Sequence, residues 1–412
     1  MEFQRDAYLR RLIARQHNGL VKVITGARRC GKSYLLFKLF QRHLLESGVQ
    51  ESQIIPVQLD DFQNRELRVP ESCNDYVRHR IKGQNQYYLL LDEVQLMADF
   101  EDVLNGFLHI PNLDVYVTGS NSRFLSTDVI TEFRGRGDEV RVHPLSFSEY
   151  HQTLGGDWED NWNDYMTFGG MPYVATLVEE KEKTAYLQRL FQEIYLRDIV
   201  ERYQIRNEAE FSELVDVVAS SVGSLTNPAK LARTFASEKH VSLSAPSIKK
   251  YLDYLEDAFI INHAKRYDVK GRKHIGSPLK YYFEDVGLRN ARLNFRQQEP
   301  THLMENTIYN ELIARGFSVD IGIVEQREKG ARKQIEIDFI ANQGSKRYYL
   351  QSAFALPDAA KREQEKRPLV NTDDSFKKII VVGGNPRLSR DEKGIVTIGL
   401  KEFLLNPGSL DL

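Results

Sequence analysis

Gly26-Ala27-Arg28-Arg29-Cys30-Gly31-Lys32-Ser33 fills every fixed position of the pattern GxxxxGK[ST]. Before it, Val21-Lys22-Val23-Ile24-Thr25 reads as a buried strand; after it, Ser33 to Leu45 carries apolar residues at helical spacing. Strand, glycine loop and helix in that order make a phosphate cradle. The glycines let backbone N–H groups turn inward around the β- and γ-phosphates, and the helix N-terminus adds partial positive charge. Lys32 would reach the phosphate oxygens and the Ser33 hydroxyl would hold Mg²⁺. Ala27, Arg28, Arg29 and Cys30 line the loop through their backbone, Cys30 needing no side-chain role, and Tyr34 completes the set on the first helical turn. ATP and Mg²⁺ are the expected ligands.

Tyr87-Tyr88-Leu89-Leu90-Leu91-Asp92-Glu93 supplies the other half of such a site, an apolar strand closed by two acids. Open α/β sheets bind ligands at the C-terminal ends of their strands, where Asp92 would stand. Asp92 is the candidate for the Mg²⁺ shell, and Glu93 for orienting or deprotonating the attacking water. The strand Val115-Tyr116-Val117-Thr118 ends in Gly119-Ser120-Asn121-Ser122, so Asn121 or Ser120 could reach the γ-phosphate from between the two halves. The bland reading of that stretch is a polar turn.

At 412 residues the chain exceeds one ordinary core, and two or three domains are expected. A formal net charge of -2 sets up no global field for nucleic acid, so any basic surface is local. Cys30 and Cys73 are far apart and lack metal-ligand spacing. The first residues carry no signal-peptide core, and no apolar run reaches about eighteen residues. A cytoplasmic protein with no membrane partner is the expectation.

Together with the phosphate loop and Leu91-Asp92-Glu93, five further stretches carry a family resemblance: Thr118-Gly119-Ser120-Asn121-Ser122, Gly135-Arg136, Pro144-Leu145-Ser146-Phe147-Ser148-Glu149, Phe168-Gly169-Gly170-Met171-Pro172 and Tyr195-Leu196-Arg197-Asp198-Ile199. The chain resembles the prokaryotic AAA+ ATPases in which an AAA domain is joined to a C-terminal domain of unknown function related to PD-(D/E)XK nucleases. The resemblance implies a core sheet with the phosphate-loop strand in its middle and a sensor role for the polar residue after the 115–118 strand. It also implies an arginine, Arg134 or Arg136, contacting the γ-phosphate from the same subunit or a neighbouring one; the alternative is a solvated basic turn.

Residues 183–203 read as a helix, in which Arg197 and Asp198 would either meet nucleotide or, on the favoured reading, pair with each other. From Glu208 the pattern gives three helices and two strands, Phe259-Ile260-Ile261 and Lys280-Tyr281-Tyr282-Phe283, the order of a winged helix-turn-helix. Lys265, Arg266, Lys270, Arg272 and Lys273 lie between those strands, opposed by Asp268. A basic wing beside a helix carrying Lys249 and Lys250 would contact DNA phosphates. A lid or a protein interface is the competing reading.

The last segment runs helix, strands, charged helix, strand, an order that resembles the PD-(D/E)XK core. Glu311, or Glu305, matches the helical acid of that core and Asp338 the strand acid. Gln351 stands where the second acid belongs and Ala353 where the lysine belongs. An amide brings no charge to a metal and alanine activates no water, so cleavage is expected to be lost.

The sequence thus predicts an α/β protein: a P-loop AAA+ core over 1–150 with a parallel sheet flanked by helices, a helical lid over 151–207, a winged helix over 208–299 and a nuclease-like domain over 300–412. The expected activity is Mg²⁺-dependent ATP hydrolysis through Lys32, Glu93, Asn121 and Arg136, coupled to double-stranded DNA. Its alternatives are a nucleotide-timed switch on a protein partner and an ATP-dependent nuclease. Self-association would let a neighbouring copy complete the site.

Overall fold

The structure is a computed structural model that describes residues 1–119, 135–239, 243–296, 298–328 and 331–412. The chain divides into two compact units, one of residues 1–144 with 257–259, the other of residues 145–256 with 260–412.

The first unit is built on five strands: β1 (Val21–Thr25), β2 (Ile54–Gln58), β3 (Tyr87–Asp92), β4 (Leu113–Thr118) and β5 (Gly137–Arg141). They pair in parallel in the order β2-β3-β4-β1-β5. The phosphate-loop strand is therefore interior, one place from the edge. Every residue of β1, β3 and β4 is buried, as a sheet covered on both faces requires, and this is why those strands read as largely apolar, the buried charges Lys22 of β1 and Asp114 of β4 pairing with each other. Val23, Leu89, Leu91, Val115 and Val117 join Phe100, Leu104 and Phe107 of the flanking helix in one core cluster. The segment 32–46 is helical throughout, with a π-helical stretch at Leu35–Phe40 that buries Leu35, Leu36, Leu39 and Phe40.

The second unit opens with helices. The expected 183–203 helix is present, from Glu180 to Tyr203. Arg197 and Asp198 do not pair with each other, because consecutive helical residues diverge around the axis. Each pairs one turn on, Arg197 with Glu201 at 2.7 Å and Asp198 with Arg202. The three helices Glu208–Ser220, Pro228–Thr234 and Ala245–Asp257 follow in the expected order.

The hairpin after them departs from a free wing. Strands β6 (Ile261–Asp268) and β7 (Lys273–Phe283) are antiparallel to each other, and β6 also pairs in parallel with β8 (Ser318–Glu328). With β9 (Ala331–Gln343), β10 (Lys346–Ala353), β11 (Lys377–Val382), β12 (Ser389–Arg390) and β13 (Val396–Gly399), they form one eight-stranded sheet in the order β12-β13-β11-β10-β9-β8-β6-β7. A sheet therefore crosses residue 300, the expected domain limit. An unpaired β6 would leave a row of backbone donors and acceptors free, and β8 satisfies part of it. Lys265, Arg266 and Lys273 lie within the strands, which leaves Lys270 and Arg272 at the turn.

Among the described residues no helix is long and apolar enough to cross a membrane.

Candidate nucleotide site and a second charged cluster

The parallel sheet presents its C-terminal edge to the glycine loop. Gly26, at φ 137°, leaves β1 so close to the Val142 carbonyl that a Cβ there would lie 2.0 Å from its oxygen. Arg29 and Gly31 also hold positive φ, 65° and 102°, and the helix starts at Lys32. Lys32 is buried, and its ammonium donates to the Gly26 and Ala27 carbonyls at 2.9 Å each. The loop thus wraps a cation held by neutral dipoles. Cys30 is buried, its thiol directed at the Val142 carbonyl at 3.3 Å. Tyr34 turns away toward the N-terminal segment, where the Phe3 amide donates to its phenol oxygen.

Asp92 ends β3, buried, and accepts hydrogen bonds from the hydroxyls of Thr118 and Ser33. Burial pushes its carboxyl above the usual range, while those two hydroxyls pull it back. Glu93 follows in the left-handed region at φ 52°, its amide donating to Thr118 Oγ1 at 3.2 Å and its carboxylate accepting from the Gln95 amide. Because β4 lies between β3 and β1, its last residue, Thr118, falls between the acids and the loop. The sequence placed the polar contact of this strand at Ser120 or Asn121; Thr118 was missed because it reads as part of the strand. Ser120, Asn121 and Arg134 lie outside the described residues.

Arg136 requires a correction. Val21 pairs with Gly137, and the Val21 amide donates to the Arg136 carbonyl at 2.9 Å, so Arg136 stands at the N-terminal edge of the sheet. The phosphate loop lies beyond the other end of β1, about 16 Å away at about 3.3 Å per residue. Within one chain, Arg136 is on the wrong edge to meet the loop.

Ser33 and Asp92 give an oxygen-only pair, which suits Mg²⁺. Among the described residues no group of three or more His, Cys, Asp and Glu side chains is placed to hold a metal. Mg²⁺ held through one carboxylate, one hydroxyl and phosphate oxygens needs none.

The second unit gathers a different set. Lys280 on β7 is buried, its ammonium 3.0 Å from Glu305 on the helix Pro300–Ala314 and 2.7 Å from Glu336 on β9. The Tyr282 hydroxyl donates to Glu305 at 2.7 Å. Asp338 accepts the Ser352 amide at 2.8 Å, and its own amide reaches Gln351 Oε1 at 3.5 Å. Burial, and then the Glu305 charge, raises the Asp338 carboxyl well above its ordinary value. Burial works against the Lys280 ammonium, yet Glu305, Glu336 and Asp338 outweigh it and hold its pKa above the usual lysine value. Of the two helical acids offered by the sequence, Glu305 belongs to this cluster. Glu311 pairs with Arg315 at 2.7 Å. Ala353 sits in an apolar cluster with Tyr349, Ile380 and Val382.

Asp285 was also missed. It caps the helix Val286–Arg292, accepting from Leu288 N at 2.9 Å and Gly170 N at 2.7 Å. Gly169, at φ 74°, gives way to it, since a Cβ there would lie 2.2 Å from Asp285 Oδ1. Gly170 is confined by another neighbour, the Leu145 carbonyl oxygen, 2.2 Å from where its Cβ would lie; burial pushes the Asp285 carboxyl up to about 6.

Comparison with known proteins gives matches along the chain. Residues 18–151 match the family model of an AAA domain, and residues 159–299 match a domain of unknown function. An uncharacterized protein of Haemophilus influenzae is 31% identical over 385 residues, covering 92% of this chain and 93% of its own length. The uncharacterized protein MJ1544 of Methanocaldococcus jannaschii is 25% identical over 362 residues, covering 84% of this chain and 77% of its own. Among solved structures, a Walker-type ATPase of Pyrococcus abyssi is similar at 14% identity and TM-score 0.49, over 71% of this chain and 96% of that one.

Proposed function

We propose that this chain, which belongs to one family with the Haemophilus influenzae protein and matches an AAA domain over residues 18–151, hydrolyses ATP with Mg²⁺ and couples turnover to DNA. The observation that carries this reading is the meeting of Lys32, Ser33, Asp92 and Thr118 at one edge of the parallel sheet. Lys32 exchanges its two backbone carbonyls for phosphate oxygens as the triphosphate enters. The backbone amides of residues 27–32 bind the β-phosphate. Ser33 and Asp92 would hold Mg²⁺, which would supply neutralisation of the charge developing on the phosphates. Glu93 leaves Gln95 to orient water and take its proton. Thr118 is a positioning residue, holding Asp92 through its hydroxyl proton and Glu93 through its oxygen.

Asn121 is the further sensor candidate, and Arg136 serves only if supplied by a neighbouring copy. The helices of 208–257 and the basic turn at Lys270 and Arg272 support the DNA part. The C-terminal segment we read as nuclease-like in order, with cleavage lost. Gln351 and Ala353 lack the needed groups, and two of the acids that remain, Glu305 and Glu336, are held by Lys280.

The deciding experiment is steady-state ATP hydrolysis with Mg²⁺, with and without double-stranded DNA, using Glu93→Gln as control. DNA-stimulated turnover that disappears in the variant supports the reading. Turnover indifferent to DNA favours a nucleotide-timed switch on a protein partner. Metal-dependent DNA cleavage abolished by Asp338→Ala would overturn the loss of nuclease activity.

A further inference from the structure

Arg347, near the start of β10, is held in one orientation by neutral groups. Its Nε donates to Asn342 Oδ1 at 2.7 Å, and it hydrogen-bonds the phenol oxygens of Tyr349 and Tyr267. Its guanidinium lies 5.3 Å from the ring centre of Tyr267 and 5.2 Å from that of Phe376. Among the described residues no carboxylate pairs with it. A guanidinium fixed by rings and amides, with its charge unbalanced, is prepared for an anion.

It lines a cleft of about 560 Å³ in the second unit, a size suited to a small ligand. The turn between β6 and β7 supplies Lys270 and Arg272 to the same cleft, and the first residue of β10, Lys346, joins them. Arg272 is exposed and has no ion pair among the described residues. Lys270 meets Asp373, and Lys346 meets Asp411 at 2.9 Å. The other acid of the lining, Asp374, is turned inward to the Tyr349 hydroxyl at 2.6 Å and the Phe376 amide at 3.2 Å. Phe376 remains 41% exposed, an aromatic face beside the cations.

We propose that this cleft binds a nucleotide unit, its phosphate on Arg347 and Arg272 and its base against Phe376. A free mononucleotide and a nucleotide of a single-stranded nucleic acid share this chemistry. For the strand, the proposal rests on the DNA-coupled reading above.

The test uses the full-length protein in a Lys32→Ala background, which keeps nucleotide off the phosphate loop, with no ADP present, since ADP would itself fill the cleft. Fluorescence anisotropy follows a labelled, 5′-phosphorylated single strand of about twelve nucleotides, within the usual span of single-strand sites. AMP is the competitor. Loss of Arg347 to alanine should weaken strand binding about tenfold or more, and Phe376→Ala about fivefold or more, with Arg347→Lys recovering part of the loss. Arg272→Ala, on an exposed turn where folding is not at stake, should weaken binding and lower the salt slope by about one. AMP displacing the strand identifies the mononucleotide as sufficient; strand binding that AMP leaves intact identifies the strand. Equal strand binding by the Lys32→Ala parent and by Phe376→Ala and Arg272→Ala in that background would overturn the proposal. DNA-stimulated turnover persisting in Arg347→Ala with Lys32 intact, together with undiminished strand binding, would overturn the cleft and spare the coupling. Strand binding lost in these variants, with wild-type turnover indifferent to DNA, would overturn the coupling and spare the cleft.

Discussion

Lys32 in the first unit and Lys280 in the second are both buried, yet their partners differ in kind. Lys32 donates to two backbone carbonyls at 2.9 Å. Lys280 lies between Glu305 and Glu336, at 3.0 and 2.7 Å. A lysine on neutral dipoles keeps its charge available, and an arriving phosphate replaces weak partners with a strong one. A lysine already balanced by carboxylates has nothing to gain from an anion, and it occupies the place a cation would take among those acids. The first arrangement suits a ligand site and the second a structural one. Arg347, held by amide, phenol and ring, belongs with Lys32 in this respect.

The contrast predicts that variants at the two sites fail in different assays. At the first site, Lys32→Ala should abolish ATP binding, whereas Glu93→Gln should retain it and lower turnover by about 100- to 10,000-fold, read by nucleotide titration and phosphate release. Equal loss of binding in both would remove Glu93 from its role. At the second, Lys280→Met should leave Glu305 and Glu336 without their counter-ion and lower unfolding free energy by about 3–5 kcal/mol. Denaturant unfolding checks this, and an unchanged midpoint would deny the structural role.

Asp285 sharpens the second half of the comparison through pH. Its folded-state carboxyl titrates near 6 against an ordinary 3.8, so the folded form binds more protons between those values. Its stabilising contribution is therefore complete below about pH 4 and is lost as pH rises through about 6. The difference corresponds to about 3 kcal/mol. Wild type should gain that much relative to Asp285→Asn between pH 7 and pH 4, measured by denaturant titration; a constant gap would exclude it.

Thr118→Val should cost about 1–3 kcal/mol by removing the hydroxyl that bonds both the Glu93 amide and the Asp92 carboxylate, with Thr118→Ser restoring most of it. The smallest effect is expected at the exposed Arg197–Glu201 pair, where Arg197→Ala should leave the melting midpoint unchanged.

Local readings served best where one element carried the whole signal. The phosphate loop needs glycines, lysine and serine within eight residues, and β3 and most of β4 needed only an apolar run. Strands that face solvent on one side were shortened or missed: β6 and β7 were read from their apolar ends, and β5, whose residues are mostly half-buried, was not read. Thr118 was hidden because a hydroxyl at a strand end looks like one more β-branched residue.

What the sequence determined by itself is the phosphate cradle and its acidic partner strand, because their chemistry is written in contiguous residues whose backbone conformation is local. Only the tertiary structure decided which charges meet. Pairing of β6 with β8 carries Lys280 to Glu305 and Glu336 and brings the turn at Lys270 beside Arg347, while the parallel register of β1 and β5 sends Arg136 to the far edge. Electrostatic partners are chosen by distance in space, and sheet register sets that distance between residues that no local pattern connects.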